Sequence, residues 1–268
     1  MAKFGMIGGG MMGEALMSRL VDRGVYAPQD MVVSEPLAAR RQVLAERYGV
    51  QVTDDNAQAA IADVLMLAIK PQVFDAVMAG LTAGLSDAAT PGLVISILAG
   101  IPIAKLEAAF PGRAVVRAMP NTPATVGAGM TAIAPGQHCQ AAQLAQAEQI
   151  FAAVGEVVSV PESLMDAVTG LSGSGPGYVA VMIEALTDGG VAVGLPRAIA
   201  AKLAVQTVKG AAQLIQEKEL HPAVLKDQVT SPGGTTIAGI AQMEQAGVRA
   251  ALIEAVRAAY QRSRELGQ

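Results

Sequence analysis

An N-terminal α/β domain with a parallel-rich sheet, followed by an all-helical domain, is the fold class that the sequence predicts. Three observations carry this expectation. Short apolar runs alternate with helical stretches up to about residue 160, a glycine-rich turn follows the first run, and the rest of the chain reads almost entirely as helix. Such alternation argues for βαβ units and a parallel sheet.

Taken in order, Lys3–Ile7 predicts a strand and Met12–Arg23 its helix, and Met31–Val33 with Pro36–Tyr48 repeats the unit. Further apolar runs follow at Asp63–Ile69, Gly92–Leu98 and Arg113–Met119. Pro36 suits a first helical turn, and Gly24 and Gly49 suit helix ends. After Val160 helices are expected over Glu162–Gly170, Pro176–Gly194, Pro196–Glu217, Pro222–Val229, Thr235–Gln245 and Val248–Leu266. The expected domains are therefore 1–160 and 161–268. Val179, Val181, Met182, Ile183, Leu186, Val191 and Val193 make the long helical region apolar around much of its circumference, and such a helix needs burial on most sides. A helical domain this small obtains that burial most readily from a second copy of itself, so the all-α domain is expected to be a dimerisation domain.

Composition narrows the function. The 268 residues are 52% hydrophobic with a formal net charge of −4, which suits a folded globular protein and offers no basic stripe to nucleic acid. No apolar run reaches the roughly 20 residues that span a bilayer, and the glycine-broken N-terminus lacks a signal-peptide core, so a cytoplasmic protein with no membrane partner is expected. With Trp absent, the aliphatic residues and the 13 Met must fill the core. Cys139, His138 and His221 give no metal-ligand spacing, so no metal is expected. His138 falls in an alanine- and glutamine-rich helical stretch and reads as surface.

Gly8-Gly9-Gly10-Met11-Met12-Gly13 follows a strand and opens an amphipathic helix, the context that the Rossmann dinucleotide fingerprint requires. Gly8 permits the tight turn, Gly10 lets backbone approach a pyrophosphate, and Gly13 allows close helix packing, with free N–H groups aimed at the anion. The end of the second strand decides between cofactors, because a carboxylate there favours the ribose 2′-hydroxyl of NAD and an arginine the 2′-phosphate of NADP. Both are present, Glu35 and then Arg40-Arg41, and the arginines read equally well as a solvated helix face. Ile69, Lys70 and Pro71 close another strand, and Asn121 lies just past Arg113–Met119, at the sheet edge where open α/β folds bind ligands. A proline-capped strand end and a plain turn are the structural alternatives.

The helical half bears on the chemistry. Gly170–Val179 is similar to the GxxGxGxxxK segment of the β-hydroxyacid dehydrogenases, whose lysine serves as acid/base, but Val179 stands at the lysine position. Protonating a developing alkoxide needs such an acid, whereas a protonated imine accepts hydride without one. Ser172 and Ser174 do not satisfy G-x-S-x-G. In Ser231-Pro232-Gly233-Gly234-Thr235-Thr236, proline stiffens the approach, two glycines clear it, and two threonines stand at a helix start. An anion site is expected, the structural alternative being a helix cap with a flexible entry. Each hydrogen bond to a carboxylate contributes about 1.5–3 kcal/mol, more than the helix-end field of about 0.3–1 kcal/mol.

These motifs together resemble the pyrroline-5-carboxylate reductases along essentially the whole chain: IGGGMMG, AIKPQ, RAMPNTP, DAVTGLSGSGPGYV, GLPR, QTVKGAA and above all HPAVLKDQVTSPGGTTIAGI. The resemblance implies reduction of 1-pyrroline-5-carboxylate to proline in a homodimer or a ring of dimers, with the substrate loop supplied largely by the neighbouring subunit. It implies cofactor contacts at Gly8, Met11, Met12, Asn56, Lys70 and Ala99, beside Gly9, Gly10 and Gly13 of the turn. It places the substrate carboxylate on Ser231, Gly233, Gly234, Thr235 and Thr236, with Thr236 beside the ring nitrogen and Glu219 and Glu162 nearby. Gln228 replaces a frequent asparagine, and Glu35 replaces a small residue. NADPH is the expected cofactor, with Arg40 or Arg41 meeting the 2′-phosphate while Glu35 turns aside; NADH is the alternative. A reductase of another cyclic imino acid and a dinucleotide-binding regulator without turnover are the other readings.

Overall fold

The structure, a computed structural model, describes residues 2–85 and 92–267, and the side chains of 2–81 and 92–267. It forms two compact units, Met1–Gly173 with Ala259–Gln268, and Ser174–Ala258. The first unit carries β1 (Phe4–Ile7), α1 (Met11–Asp22), β2 (Met31–Ser34), α2 (Ala38–Tyr48), β3 (Gln51–Thr53), α3 (Asn56–Ala60), β4 (Val64–Leu67) and α4 (Phe74–Leu85). β5 (Leu93–Ser96), α5 (Ile103–Ala109), β6 (Ala114–Met119), β7 (Gly129–Pro135), α6 (Ala141–Ala152), β8 (Gly155–Ser159) and α7 (Met165–Val168) follow.

These strands form one eight-stranded sheet in the order β3-β2-β1-β4-β5-β6-β7-β8. Every neighbouring pair is parallel except β6–β7. β1, β2, β4 and β5 are buried at every residue, as strands covered by helices on both faces must be. One face packs Phe4, Met6, Leu16, Leu20, Val116, Ile150 and Phe151. The other packs Ile7, Leu65, Leu67, Phe74, Leu106 and Phe110. Each such side chain, fully buried, contributes roughly 1.5–3 kcal/mol. Order reverses at β1, where β2 lies to one side and β4 to the other, and such a switch point opens a crevice beyond the strand ends.

Three strands lack the apolar signal. β3 is an edge strand with Gln51 exposed, β7 is the antiparallel addition, and β8 is a largely exposed edge. Pro36 does not sit in a first helical turn. The Glu35 side chain accepts the N–H of Leu37, and α2 starts at Ala38. His138 lies in the turn ahead of α6, not in a helix, because Gln140 and Gln143 form a capping box that fixes the start at Ala141. Gly24 and Gly49 do end helices, both left-handed.

The second unit contains α8 (Gly175–Ala192), α9 (Arg197–Glu217), α10 (Pro222–Gln228), α11 (Thr235–Gln245) and the first part of α12 (Val248–Leu266). Its residues are apolar yet open: Val181 is 65% exposed and Val193 82%. The end of α12 belongs to the first unit, where the Ser263 hydroxyl donates to Asp166 at 2.7 Å.

Thr131 on β7 is fully buried, and its hydroxyl has no hydrogen-bond partner among the described residues. A methyl in place of an unpaired hydroxyl removes a desolvation cost of about 1–3 kcal/mol. Thr131→Val should therefore melt at or above the parent temperature by calorimetry. A fall of several degrees would mean that the hydroxyl is satisfied.

Candidate functional site

The turn after β1 is built by close backbone approach. Gly8 has a φ of +105°, and a Cβ there would stand 2.6 Å from the Ala68 carbonyl oxygen. A Cβ on Gly13 would collide with the Gly8 carbonyl oxygen, whereas one on Gly10 would meet nothing within 4 Å. Gly8 and Gly13 thus seat α1 against the strand ends, and Gly10 leaves open space where an anion would enter. The first helical N–H with a backbone acceptor is that of Glu14, bonded to the Gly10 carbonyl at 2.8 Å. The N–H groups of Met11, Met12 and Gly13 precede it, as the first turn of a helix requires.

A cleft of about 370 Å³ opens at this point, lined by Gly10, Met11, Met12, Ala68, Ile69, Lys70, Pro71, Ile97, Leu98, Ala99, Met119 and Pro120. These residues follow the C-terminal ends of β1, β4, β5 and β6, the ligand edge of such a sheet. The sequence-expected residues Met11, Met12, Ile69, Lys70, Pro71 and Ala99 meet here. The donor set fits a dinucleotide: glycine-cleared space, helix-start N–H groups and one lysine.

The end of β2 is polar and internally paired. Glu35 is 7% exposed; its carboxylate accepts the N–H of Gly9 at 3.0 Å and that of Leu37 at 3.1 Å. Arg40 donates through Nε to the Gly9 carbonyl at 2.8 Å and pairs with Glu14. Arg41 donates to the carbonyls of Glu35 and Pro36 and pairs with Asp54 at 3.2 Å. Asn56, first residue of α3, accepts the Ser34 hydroxyl at 2.6 Å. Glu14 was not singled out in the sequence, although its place in the first turn of α1 beside a basic α2 was a usable signal.

Asn121 does not line the cleft. Its amide is used twice, accepting the Met130 N–H at 2.9 Å and donating to the Ser172 carbonyl at 3.1 Å, which braces the segment behind Met119 and Pro120. Glu162 accepts from the Ile103 N–H at 2.7 Å and from Arg117 at 3.0 Å, so it ties the start of α5 to β6. Cys139 is half-buried, and burial pushes its thiol up, away from the reactive thiolate. Among the described residues no three His, Cys, Asp or Glu side chains are grouped to hold a metal.

In the second unit, Ser231–Gly234 forms the approach to α11. Gly233 is left-handed at φ +68°, and Gly234 is the N-cap residue. The first N–H of this helix with a backbone acceptor is that of Ala238, at 3.4 Å from the Gly234 carbonyl, so those of Thr235, Thr236 and Ile237 precede it. Gln228, the last residue of α10, is exposed, as are Ser231, Gly233 and Thr235. Glu219 is the one non-glycine residue with positive φ among those described, at 49°, and its backbone N–H closes the end of α9.

Burial raises the Glu14 carboxyl, but hydrogen bonds from Tyr48 and Arg40 and the charges of Arg40 and Arg47 outweigh it and leave the group lowered. A lowered carboxyl stabilises the fold above its ordinary value of 4.5 and loses that contribution as pH falls through the folded value. Glu14→Gln should melt below the parent at neutral pH, and the two curves should converge in acid. A gap that stays constant would show that the charge contributes nothing.

A family model described as pyrroline-5-carboxylate reductase dimerisation matches residues 162–266, and one described as NADP oxidoreductase, coenzyme F420-dependent, matches residues 3–100. The pyrroline-5-carboxylate reductase of Coxiella burnetii superposes with a TM-score of 0.91 at 36% identity, covering 100% of this chain and 99% of its own. A Plasmodium falciparum pyrroline carboxylate reductase solved with NADP bound gives 0.88 at 29% identity, covering 100% and 98%. The pyrroline-5-carboxylate reductase of Synechocystis sp. is 60% identical over 267 residues, 99% of this chain and 98% of the relative. With identity at that level sustained through both units, the chain belongs to the pyrroline-5-carboxylate reductase family.

Proposed function

We propose that this chain reduces 1-pyrroline-5-carboxylate to L-proline with NADPH, NADH being the alternative reductant. The observation that carries the reading is the presence of two anion-binding helix starts of different make. The turn Gly8–Gly13 opens α1 beside a cleft of about 370 Å³, and Gly233-Gly234 opens α11, where the N–H groups of Thr235, Thr236 and Ile237 precede the helical ladder. Full-length likeness to the named reductases supports the same assignment. When bound, NADPH supplies a hydride to C5 of the protonated imine, whose C=N electron pair becomes the lone pair of the amine.

The residues of the chain then position and neutralise. N–H groups of Met11 and Met12 take the pyrophosphate, with Gly9 and Gly10 shaping the approach. Ile69, Lys70, Pro71 and Ala99 would line the cofactor's cleft, and Asn56, the first residue of α3, would contribute a further contact. Arg40 or Arg41 meets the 2′-phosphate; both are engaged within the protein, Arg40 with Gly9 and Glu14 and Arg41 with the carbonyls of Glu35 and Pro36 and with Asp54, so either gives up a partner to do so. Asn121 supports the cleft wall from behind.

The substrate carboxylate is held by Ser231, Gly233, Gly234, Thr235 and Thr236, with the Thr236 hydroxyl beside the ring nitrogen and Gln228 at the rim. Glu219 and Glu162 are the carboxylates that likeness to the family assigns to the substrate; within its own unit Glu162 accepts from Ile103 and Arg117. The exposed apolar residues of α8 and α9 support a homodimer, and the same reading extends to a ring of dimers in which the substrate loop serves a neighbouring chain. Cytoplasmic function is part of this proposal; among the described residues no helix is long and apolar enough to cross a membrane.

The test follows NADPH absorbance with five- and six-membered cyclic imino acids. Turnover of the five-membered ring with the larger kcat/KM is expected, with NADPH preferred over NADH. No oxidation with either ring would leave only a dinucleotide-binding protein. In the same assay Thr236→Val should lower kcat/KM about 10- to 150-fold, the equivalent of one charge-assisted hydrogen bond, while cofactor affinity holds. Unchanged kinetics would remove Thr236 from the site. Glu219→Gln should lower kcat/KM in the same assay, and unchanged kinetics would remove Glu219.

A further inference from the structure

The chain carries an acid where dinucleotide folds that prefer NAD place one, yet the structure turns that acid inward. In such folds the carboxylate after the second strand hydrogen-bonds the ribose 2′-hydroxyl and repels a 2′-phosphate. Glu35 is 7% exposed, and each carboxylate oxygen is engaged: Oε2 accepts the Gly9 N–H and Oε1 the Leu37 N–H. A carboxylate taken out of water is tolerated only when hydrogen-bonded and offset by opposite charge. The two N–H groups meet the hydrogen-bonding condition, and the Arg41 and Arg40 guanidinium groups stand on the backbone carbonyls of Glu35 and Gly9 beside it.

The consequence falls on the glycine turn. Gly9 is gripped on both sides of its Cα, its N–H by Glu35 and its carbonyl by Arg40, which is itself fixed to Glu14 on the first turn of α1. Glu14 is held in turn by Tyr48 at 2.7 Å, so the end of β2, the turn, α1 and α2 are joined through the two peptide groups that flank the Gly9 Cα. The fit at Gly9 is tight: a Cβ there would stand 2.6 Å from Leu44 and 3.4 Å from Glu35. Glycine turns lose more conformational freedom on ordering than other segments, so a grip on the peptide preceding Gly10 lowers the cost of presenting the N–H groups of Met11 and Met12.

We infer that Glu35 is a positioning residue of the dinucleotide site. It acts through the Gly9 peptide to hold the pyrophosphate turn ready, and it does not read the ribose. This rests on the proposed cofactor site and deepens it. An acid at the NAD-selecting position thus coexists with NADPH use, because its charge is spent inside the protein.

Calorimetric titration of NADPH and of NADH onto parent, Glu35→Gln and Glu35→Ala, with melting of each unliganded protein, tests the inference. Glu35→Gln keeps the shape and one acceptor oxygen, so a folded variant is available if Glu35→Ala is unstable. The expected result is a lower unliganded Tm and a Kd raised by a common factor of about 10 for both nucleotides, as for loss of one hydrogen bond to a charged group. The NADPH-to-NADH ratio stays that of the parent. A ratio shifted tenfold or more towards NADPH would overturn the inference by showing that the carboxylate meets the ribose. A lower Tm with both Kd values unchanged would overturn it by making Glu35 merely structural. A parent that binds neither nucleotide would instead remove the cofactor reading on which the inference stands.

Discussion

The approach of two backbones at the Ala68 peptide is the constraint on which the rest depends. Gly8 lies against the Ala68 carbonyl in a conformation that side chains rarely adopt, and Gly13 lies against the Gly8 carbonyl. With any side chain at either position α1 would have to lift from the strand ends, since interiors this close-packed leave no room to absorb a methyl group. The contact sets where the helix begins, hence where its unpaired N–H groups stand. It also places them beside the ends of β4 and β5, which is why Lys70 and Ala99 border the same cleft as Met11. The site thus follows from packing that has no ligand in it.

A second layer of polar contacts fixes what the glycines leave free. Glycines permit the turn but do not select it, because a chain without Cβ has more conformations to lose. Selection comes from side chains on other elements: Glu35 and Arg40 on Gly9, and Tyr48 and Arg40 on Glu14. Most are within the first unit's interior or its half-buried margin, where a hydrogen bond is less exposed to competition from water. The second anion site has no comparable frame of its own. Gly233 is exposed, and elsewhere in the same unit Val181 and Leu186 of α8 and Val193 just after it are open to solvent in a single chain.

What the sequence disclosed, and what it did not, follows the same division. β1, β2, β4, β5 and β6 were legible because strands buried on both faces read as nearly continuous apolar runs, broken here only by Ser34, Ser96 and Arg117, and the helices of the second unit because proline and glycine punctuate them. β3 and β8 were not legible, since edge strands with Gln51 and Glu156 carry mixed residues, and β7 hides its signal behind Gly129 and Pro135. The glycine turn could be read from spacing alone. The direction of the Glu35 carboxylate could not, because nothing in the sequence distinguishes an acid facing the ribose from one facing Gly9. The brace made by Asn121 joins residues far apart in the chain, and periodicity carries no information about such pairs.

Two anion sites dividing one reaction between them is the central claim: the cofactor's pyrophosphate on the first glycine turn and a small carboxylate on the second. The most direct measurement is a crystal structure of the chain with NADPH and L-proline bound. The account predicts the pyrophosphate within hydrogen-bonding distance of the Met11 and Met12 N–H groups, and the proline carboxylate on the N–H groups of Thr235 and Thr236. A phosphate group seated on Gly233-Gly234, or a proline carboxylate at Gly10, would contradict it.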